Sequence, residues 1–181
     1  MNTAITRYSP VAIALHWLMA VLIIATFLLG LTMVDMPGVT PTKLRYFNYH
    51  KWLGVTVLAL AMLRGLWRLS HPAPSLPLST PAWQKTVADL THYALYFLIF
   101  AVPLSGYFYS LAAGFKVVYL GIIPLPVLIE PNPEWKPLLK NLHYLLNITL
   151  GTLVSLHVLA ALKHHFIDRE DILRRMLPRR G

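Results

Sequence analysis

Four long, largely apolar stretches constrain this chain more than any other feature. They run over residues 11–34, 47–69, 91–112 and 138–166. About 20 helical residues at 1.5 Å each cross a hydrocarbon core roughly 30 Å thick. Lipid offers no partner to a bare backbone amide, so such spans must be helical. The expectation is an all-α fold: a membrane-spanning, up-and-down four-helix bundle in one domain over residues 1–181. The first stretch reads as a retained anchor, because its apolar run exceeds a leader core and holds His16 and Trp17 near its start.

The connectors differ in chemistry. Residues 35–46 hold Pro37, Gly38 and Pro41 and read as a helix break. Residues 70–83 are proline-rich and read as extended. The third helix is expected to begin after Pro81, ahead of its apolar run. The longest connector, 113–137, holds five prolines (124, 126, 131, 133 and 137) and cannot be a single helix. Tyr119 and Trp135 suit the headgroup level. The charged tail after Phe166 has room for one or two helical turns at the surface.

Composition narrows the function. Hydrophobic residues make up 56% of the chain and charged residues only 13%. The absence of cysteine removes disulfides, iron–sulfur clusters, thiolate zinc sites and thioether-linked haem. The net charge of +9 sits at the span ends and no base-reading motif accompanies it, so nucleic acid is not an expected partner. Lipid is. Arg7, Arg64, Arg68, Lys85, Lys163, Arg169, Arg174, Arg175, Arg179 and Arg180 fall on one side of a four-span topology. Lys43, Arg45, Lys51, Lys116, Lys136 and Lys140 fall on the other. Ten against six places both termini in the cytoplasm of a multi-pass inner-membrane protein.

Eight histidines in so apolar a chain are the chemical signal. An ionisable group inside a span is costly without a partner. His16 and His157 lie at similar depths toward the cytoplasmic side, and His50 and His143 match each other near the outer side. His143 and His157 are 14 residues apart. At about 100° per residue that is nearly four turns, so both rings share one face of the fourth helix, roughly 21 Å apart. One helix thus offers a ligand at each of two levels, and the first two helices offer the opposing ones. Two imidazoles per level, with no thiolate or carboxylate beside them, suit six-coordinate haem iron; zinc would want three or four ligands at one point. The chain is therefore expected to hold two b-type haems stacked in the core.

Neighbouring residues fit a flat macrocycle. Gly54 and Gly151 leave room for a porphyrin edge. Arg64 and Arg68 suit haem propionates on the cytoplasmic side, and Lys51 or Arg45 suit them outside. His92, at the cytoplasmic start of the third helix, cannot pair with His50 or His143. It suits a propionate or a quinone site, with an interfacial surface residue as the plain alternative and competition with His16 or His157 for iron a further one. His71 reads as a solvated loop residue. His164 and His165 form a basic helix end that complements the helix dipole; one of them can also exchange protons near the inner haem.

Tyr8-Ser9 before ALHWL, the NYHK segment around His50, LRGLWRL with Arg64 and Arg68, THY around His92, and the His143–His157 spacing before AALKHHF together resemble the bacterial cytochrome b561 family. The resemblance covers nearly the whole chain, except connector 113–137. It implies haem b on the pairs His16–His157 and His50–His143, and electron exchange with ubiquinone. One architecture in that family oxidises superoxide and reduces ubiquinone; by position, His164 is then the quinone-proximal residue.

The expected activity is that of an oxidoreductase, with a small anionic or protein donor outside and ubiquinone as acceptor. The outer cations, opposed only by Asp35, Glu130 and Glu134, suit attraction of a small anion or of lipid headgroups. The alternative is a haem-b anchor that relays electrons for a larger respiratory complex. A haem-free transporter is disfavoured by the lack of repeats and broken helices.

Overall fold

The computed structural model describes residues 7–75 and 80–178. Four helices dominate it: α1 (Pro10–Asp35), α2 (Pro41–Ser70), α3 (Ala82–Ala112) and α4 (Trp135–Phe166). All four are long and apolar enough to cross a membrane. Two-residue strands β1 (Val118–Tyr119) and β2 (Ile123–Pro124) pair antiparallel between α3 and α4. A single 3₁₀ turn, Arg174–Met176, follows α4. The four-helix expectation holds; part of the extended 70–83 segment and Arg179 and Arg180 lie outside the described residues.

Helix starts are set by capping rather than by apolar runs. Ser9 caps α1 by accepting from the Ala12 amide at 3.3 Å, with Pro10 in the first position. Thr40 does the same for α2, accepting from the Lys43 amide at 3.1 Å ahead of Pro41. Proline is favoured at this position because its missing N–H has no helical partner to lose. Pro41 therefore starts a helix, and residues 41–46, expected as part of a break, are helical. α4 likewise begins before its apolar run: the Asn132 side-chain oxygen accepts from the Glu134 and Trp135 amides at 2.9 and 3.0 Å. Pro137 sits harmlessly in the first turn. α3 begins after Pro81, as its amphipathic start suggests.

The bundle is built for lipid. Extensive packing joins α1 to α2, α2 to α3, and α3 to α4. Its small core is Met19, Val57, Ala61, Leu98, Ile99 and Leu150. Large apolar side chains such as Val21, Ile24, Leu28 and Leu31 of α1 are more than half exposed. In water such a surface is unstable; against acyl chains it costs nothing.

The long connector folds back as a hairpin. Leu120 and Gly121 both have positive φ (54° and 76°), which is what a tight turn between twisted strands requires. The hairpin rests on α2: the Trp52 indole donates to the Val118 carbonyl at 2.7 Å, and the Thr56 and Tyr119 hydroxyls are 2.9 Å apart. The Tyr107 hydroxyl donates to the Pro126 carbonyl.

At the opposite end the tail crosses back to α1. Arg7 donates to the Arg174 and Leu177 carbonyls at 3.0 and 2.6 Å, and the Trp17 indole donates to the Met176 carbonyl at 2.7 Å. Arg175 donates to the Ser75 carbonyl at 2.7 Å. α1 therefore begins, and α4 ends, on one side, as an even number of spans requires. The tail's short helical turn was legible in its sequence; its seat on α1 was not.

Candidate functional site

The bundle brings the predicted histidines together in pairs. The His50 and His143 ring centres are 6.2 Å apart, and those of His16 and His157 are 6.3 Å apart. Two imidazole nitrogens on opposite sides of one metal, each bonded at about 2.0–2.1 Å, set ring centres roughly 6.3 Å apart. Both separations suit one iron between the rings. All four residues are half-buried.

The outer pair is oriented by hydrogen bonds. His50 Nδ1 lies 3.0 Å from the Thr26 carbonyl of α1, an acceptor only, so Nδ1 carries the hydrogen and donates. His143 Nδ1 lies 3.1 Å from the Val102 carbonyl and 2.9 Å from Ser105 Oγ. The buried Ser105 hydroxyl donates its own hydrogen to Val102 at 2.7 Å, so it accepts from the imidazole. Both rings are thereby held with Nε2 bare, which is the form that binds metal, and a carbonyl behind a ligating histidine is the usual orienting partner.

Two glycines seat these rings. A Cβ on Gly30 would stand 3.2 Å from His50 Cε1, and one on Gly106 would stand 2.8 Å from His143 Cε1. The two glycines singled out from sequence do something else. Gly54 faces open space and Gly151 makes only ordinary contact with Phe27 at 3.7 Å. Both line a cavity of about 220 Å³ that begins at His50 and His143 and continues past Val57, Leu150 and Val154. It is the kind of apolar slot a macrocycle edge enters, and a Cβ at Gly54 would project into it. Gly106→Ala is expected to displace His143 and lower haem occupancy of the outer site, read as a reduced b-type α band per chain, whereas Gly151→Ala is expected to leave it unchanged.

The inner pair is held less firmly. Among the described residues, no hydrogen bond orients His16 or His157. His92 of α3 stands beside them, its ring centre 5.6 Å from that of His157. Arg64 lies close by on α2. Its Nε donates to the Tyr96 hydroxyl at 3.2 Å, while one terminal nitrogen is buried without any partner. A buried orphan donor is costly, and an anionic propionate would satisfy it. Arg68 is exposed. His71 is more than a solvated loop residue: it stacks on Trp67 at 3.9 Å and its amide closes α2 on the Trp67 carbonyl.

Below the inner pair, His164 Nδ1 lies 2.9 Å from Asp168 Oδ2 and 3.1 Å from Glu170 Oε2. Lys163 holds the same Asp168 oxygen at 2.6 Å, and that hydrogen bond keeps the Asp168 carboxyl below its ordinary range, with His164 adding to the effect. A depressed carboxylate lends its contact fully above the ordinary carboxylate range and loses it as pH falls below that range. Among the described residues every ion pair lies at this end. The outer cations Lys43, Arg45, Lys51, Lys116, Lys136 and Lys140 have no such partner there, so their charge is not cancelled locally.

The partners of the rings escaped sequence reasoning: Thr26, Val102, Ser105, Gly30 and Gly106. PLSGY, residues 103–107, was the available signal, since a serine and a glycine beside a mid-helix proline are unusual in an apolar span.

A membrane-spanning bundle with two facing imidazole pairs fits the class of membrane b-type cytochromes. The chain belongs to the prokaryotic cytochrome b561 family, whose model matches residues 7–179. Membership implies b-type haem and membrane electron transfer. Among similar proteins, Cytochrome b561 homolog 2 of Escherichia coli (strain K12) is 34% identical over 172 residues, covering 94% of this chain and 91% of the relative. Cytochrome b561 homolog 1 of the same organism is 32% identical over 174 residues, covering 96% and 98%. Probable superoxide oxidase CybB of Yersinia pestis is 28% identical over 181 residues, covering 96% and 97%.

Proposed function

We propose that this single-domain chain is a di-haem cytochrome that accepts electrons from superoxide on the outer side of the cell membrane and delivers them to ubiquinone on the cytoplasmic side. The observation that carries the reading is the two imidazole pairs, at separations of 6.2 and 6.3 Å, set two levels apart. His50 and His143 hold the outer haem; His16 and His157 hold the inner one. Bound haem supplies one-electron iron chemistry. Arg64 and Arg68 meet the inner propionates, His92 borders that site, and His164 faces the quinone. The greater basic charge at the end carrying both termini supports a cytoplasmic placement of that end.

Superoxide is an anion, and a cluster of uncancelled outer cations raises its local concentration and on-rate. The relative named a probable superoxide oxidase supports this choice of donor. The test is superoxide consumption by purified protein with ubiquinone-1. The expected result is loss of superoxide well above spontaneous dismutation, with one quinol formed for every two superoxide ions. A rate equal to dismutation removes the donor. Raising ionic strength from low to physiological values is expected to slow the reaction several-fold through screening; a salt-independent rate removes the steering argument.

A further inference from the structure

α4 carries one more histidine on the face that holds His143 and His157. His164 follows His157 by seven residues, close to two turns and roughly 10.5 Å along the axis. There the chain reverses. The Ile167 and Asp168 amides both close on the Lys163 carbonyl at 2.8 and 3.1 Å. Arg169 takes a left-handed φ of 58°, and the Glu170 amide returns to the His164 carbonyl at 2.8 Å. This turn swings two carboxylates back under one imidazole, at 2.9 and 3.1 Å from Nδ1.

The placement is electrostatically unusual. A helix C-terminus carries partial negative charge and favours cations, yet Asp168 and Glu170 are both folded onto it. Lys163 offsets one of them. His164 faces both carboxylates. The imidazole and carboxylate side chains are about one-fifth exposed, and that of Asp168 is 29% exposed, so water reaches the cluster without flooding it. The three donor atoms lie within 4.8 Å of one another and are a chelating set in principle. Lys163 already occupies the central oxygen, however, and its ammonium would repel a metal cation. The cluster is arranged for a proton.

We infer that Asp168 and Glu170 are positioning residues that hold the His164 ring by ion pairing at Nδ1, where their oxygens stand 2.9 and 3.1 Å away, leaving Nε2 as a reloadable proton donor to ubiquinone. The inference rests on the quinone reading above. Each ubiquinone takes two electrons, one from each of two superoxide ions that leave as O₂, and two protons. Each proton passes from imidazolium Nε2–H to a quinone oxygen, and the neutral ring regains a proton from water at the exposed edge before the next transfer. Of the other charged groups at this end, Arg64 donates to Tyr96, Arg174 to Asp171 and Arg175 to the Ser75 carbonyl, while Arg68, Lys85, Asp89, His165 and Arg169 make no ion pair among the described residues. His92 stands against His157.

The test compares wild type, His164→Ala and the double variant Asp168→Asn with Glu170→Gln, using superoxide and a concentration series of ubiquinone-1. An intact two-haem spectrum in each variant shows the fold. The double variant is expected to keep the KM for ubiquinone-1 and to lose about tenfold in kcat, as orienting partners usually do. The conservative pair Asp168→Glu with Glu170→Asp is expected to recover part of the lost kcat. If the double variant matches wild type in kcat while His164→Ala is slow, the positioning role is wrong and His164 keeps its place at the quinone. If His164→Ala itself matches wild type, the quinone-side reading of His164 fails. Should the double variant lose its spectrum, Glu170→Gln alone, which keeps the Lys163–Asp168 pair, carries the same comparison.

Discussion

If the chain holds two haems as proposed above, replacing His143 with alanine is expected to leave one of them. The haem-to-protein ratio from a pyridine assay should fall from about two to about one, the remaining spectrum being that of the inner site. The effect is large because the outer site has no substitute ligand. His50 is its only other imidazole, and it is tied to α1 through the Thr26 carbonyl. His92 and the remaining histidines lie on or beyond the inner pair. The same change leaves the Ser105 hydroxyl and the Val102 carbonyl bonded to each other, so no buried donor is orphaned and the fold should survive to be measured. Ser105→Ala is a milder version. It removes one partner of His143 Nδ1 but leaves the carbonyl, and an orienting contact of this kind is worth roughly 10–100-fold in metal affinity. Full retention of two haems in His143→Ala would reassign the outer site.

That ordering of effects was only partly legible in the sequence. The spans were readable because a lipid-facing helix must be apolar over a fixed length. The pairing was readable because 14 residues is nearly four helical turns, so His143 and His157 had to share a face whatever else the chain did. The contacts that prepare the rings were not readable. Thr26 and Val102 act through their carbonyls, and a carbonyl is present at every position. Gly30 and Gly106 differ from Gly54 and Gly151 only in what stands opposite them, which depends on the crossing of separate helices. The early starts of α2 and α4 came from Thr40 and Asn132, whose caps act locally but lie outside any apolar pattern. The return of the tail to α1 joins Arg7 to Leu177, a contact across most of the chain that no periodicity announces.

The second large effect is an asymmetry at the inner site. His157→Ala is expected to abolish inner haem binding and electron delivery to quinone, whereas His16→Ala should retain part of both. The reason is His92. Its ring centre is 5.6 Å from that of His157, nearer than the 6.3 Å that separates His157 from His16. A third imidazole, on α3, would therefore be the nearest replacement for His16 opposite His157. No hydrogen bond fixes any of these three rings among the described residues, so such a replacement meets little resistance, unlike at the outer site. Losing His157 removes the one ring common to both arrangements. The expected readings are one haem per chain and quinol formation at background for His157→Ala. For His16→Ala they are more than one haem per chain, an altered inner-site spectrum, and a measurable rate. Adding His92→Ala to His16→Ala should bring the pair of changes down to the His157→Ala level. Equal loss in His16→Ala and His157→Ala would mean that His92 cannot reach the iron, and its place would then be at the edge of the quinone or propionate site alone.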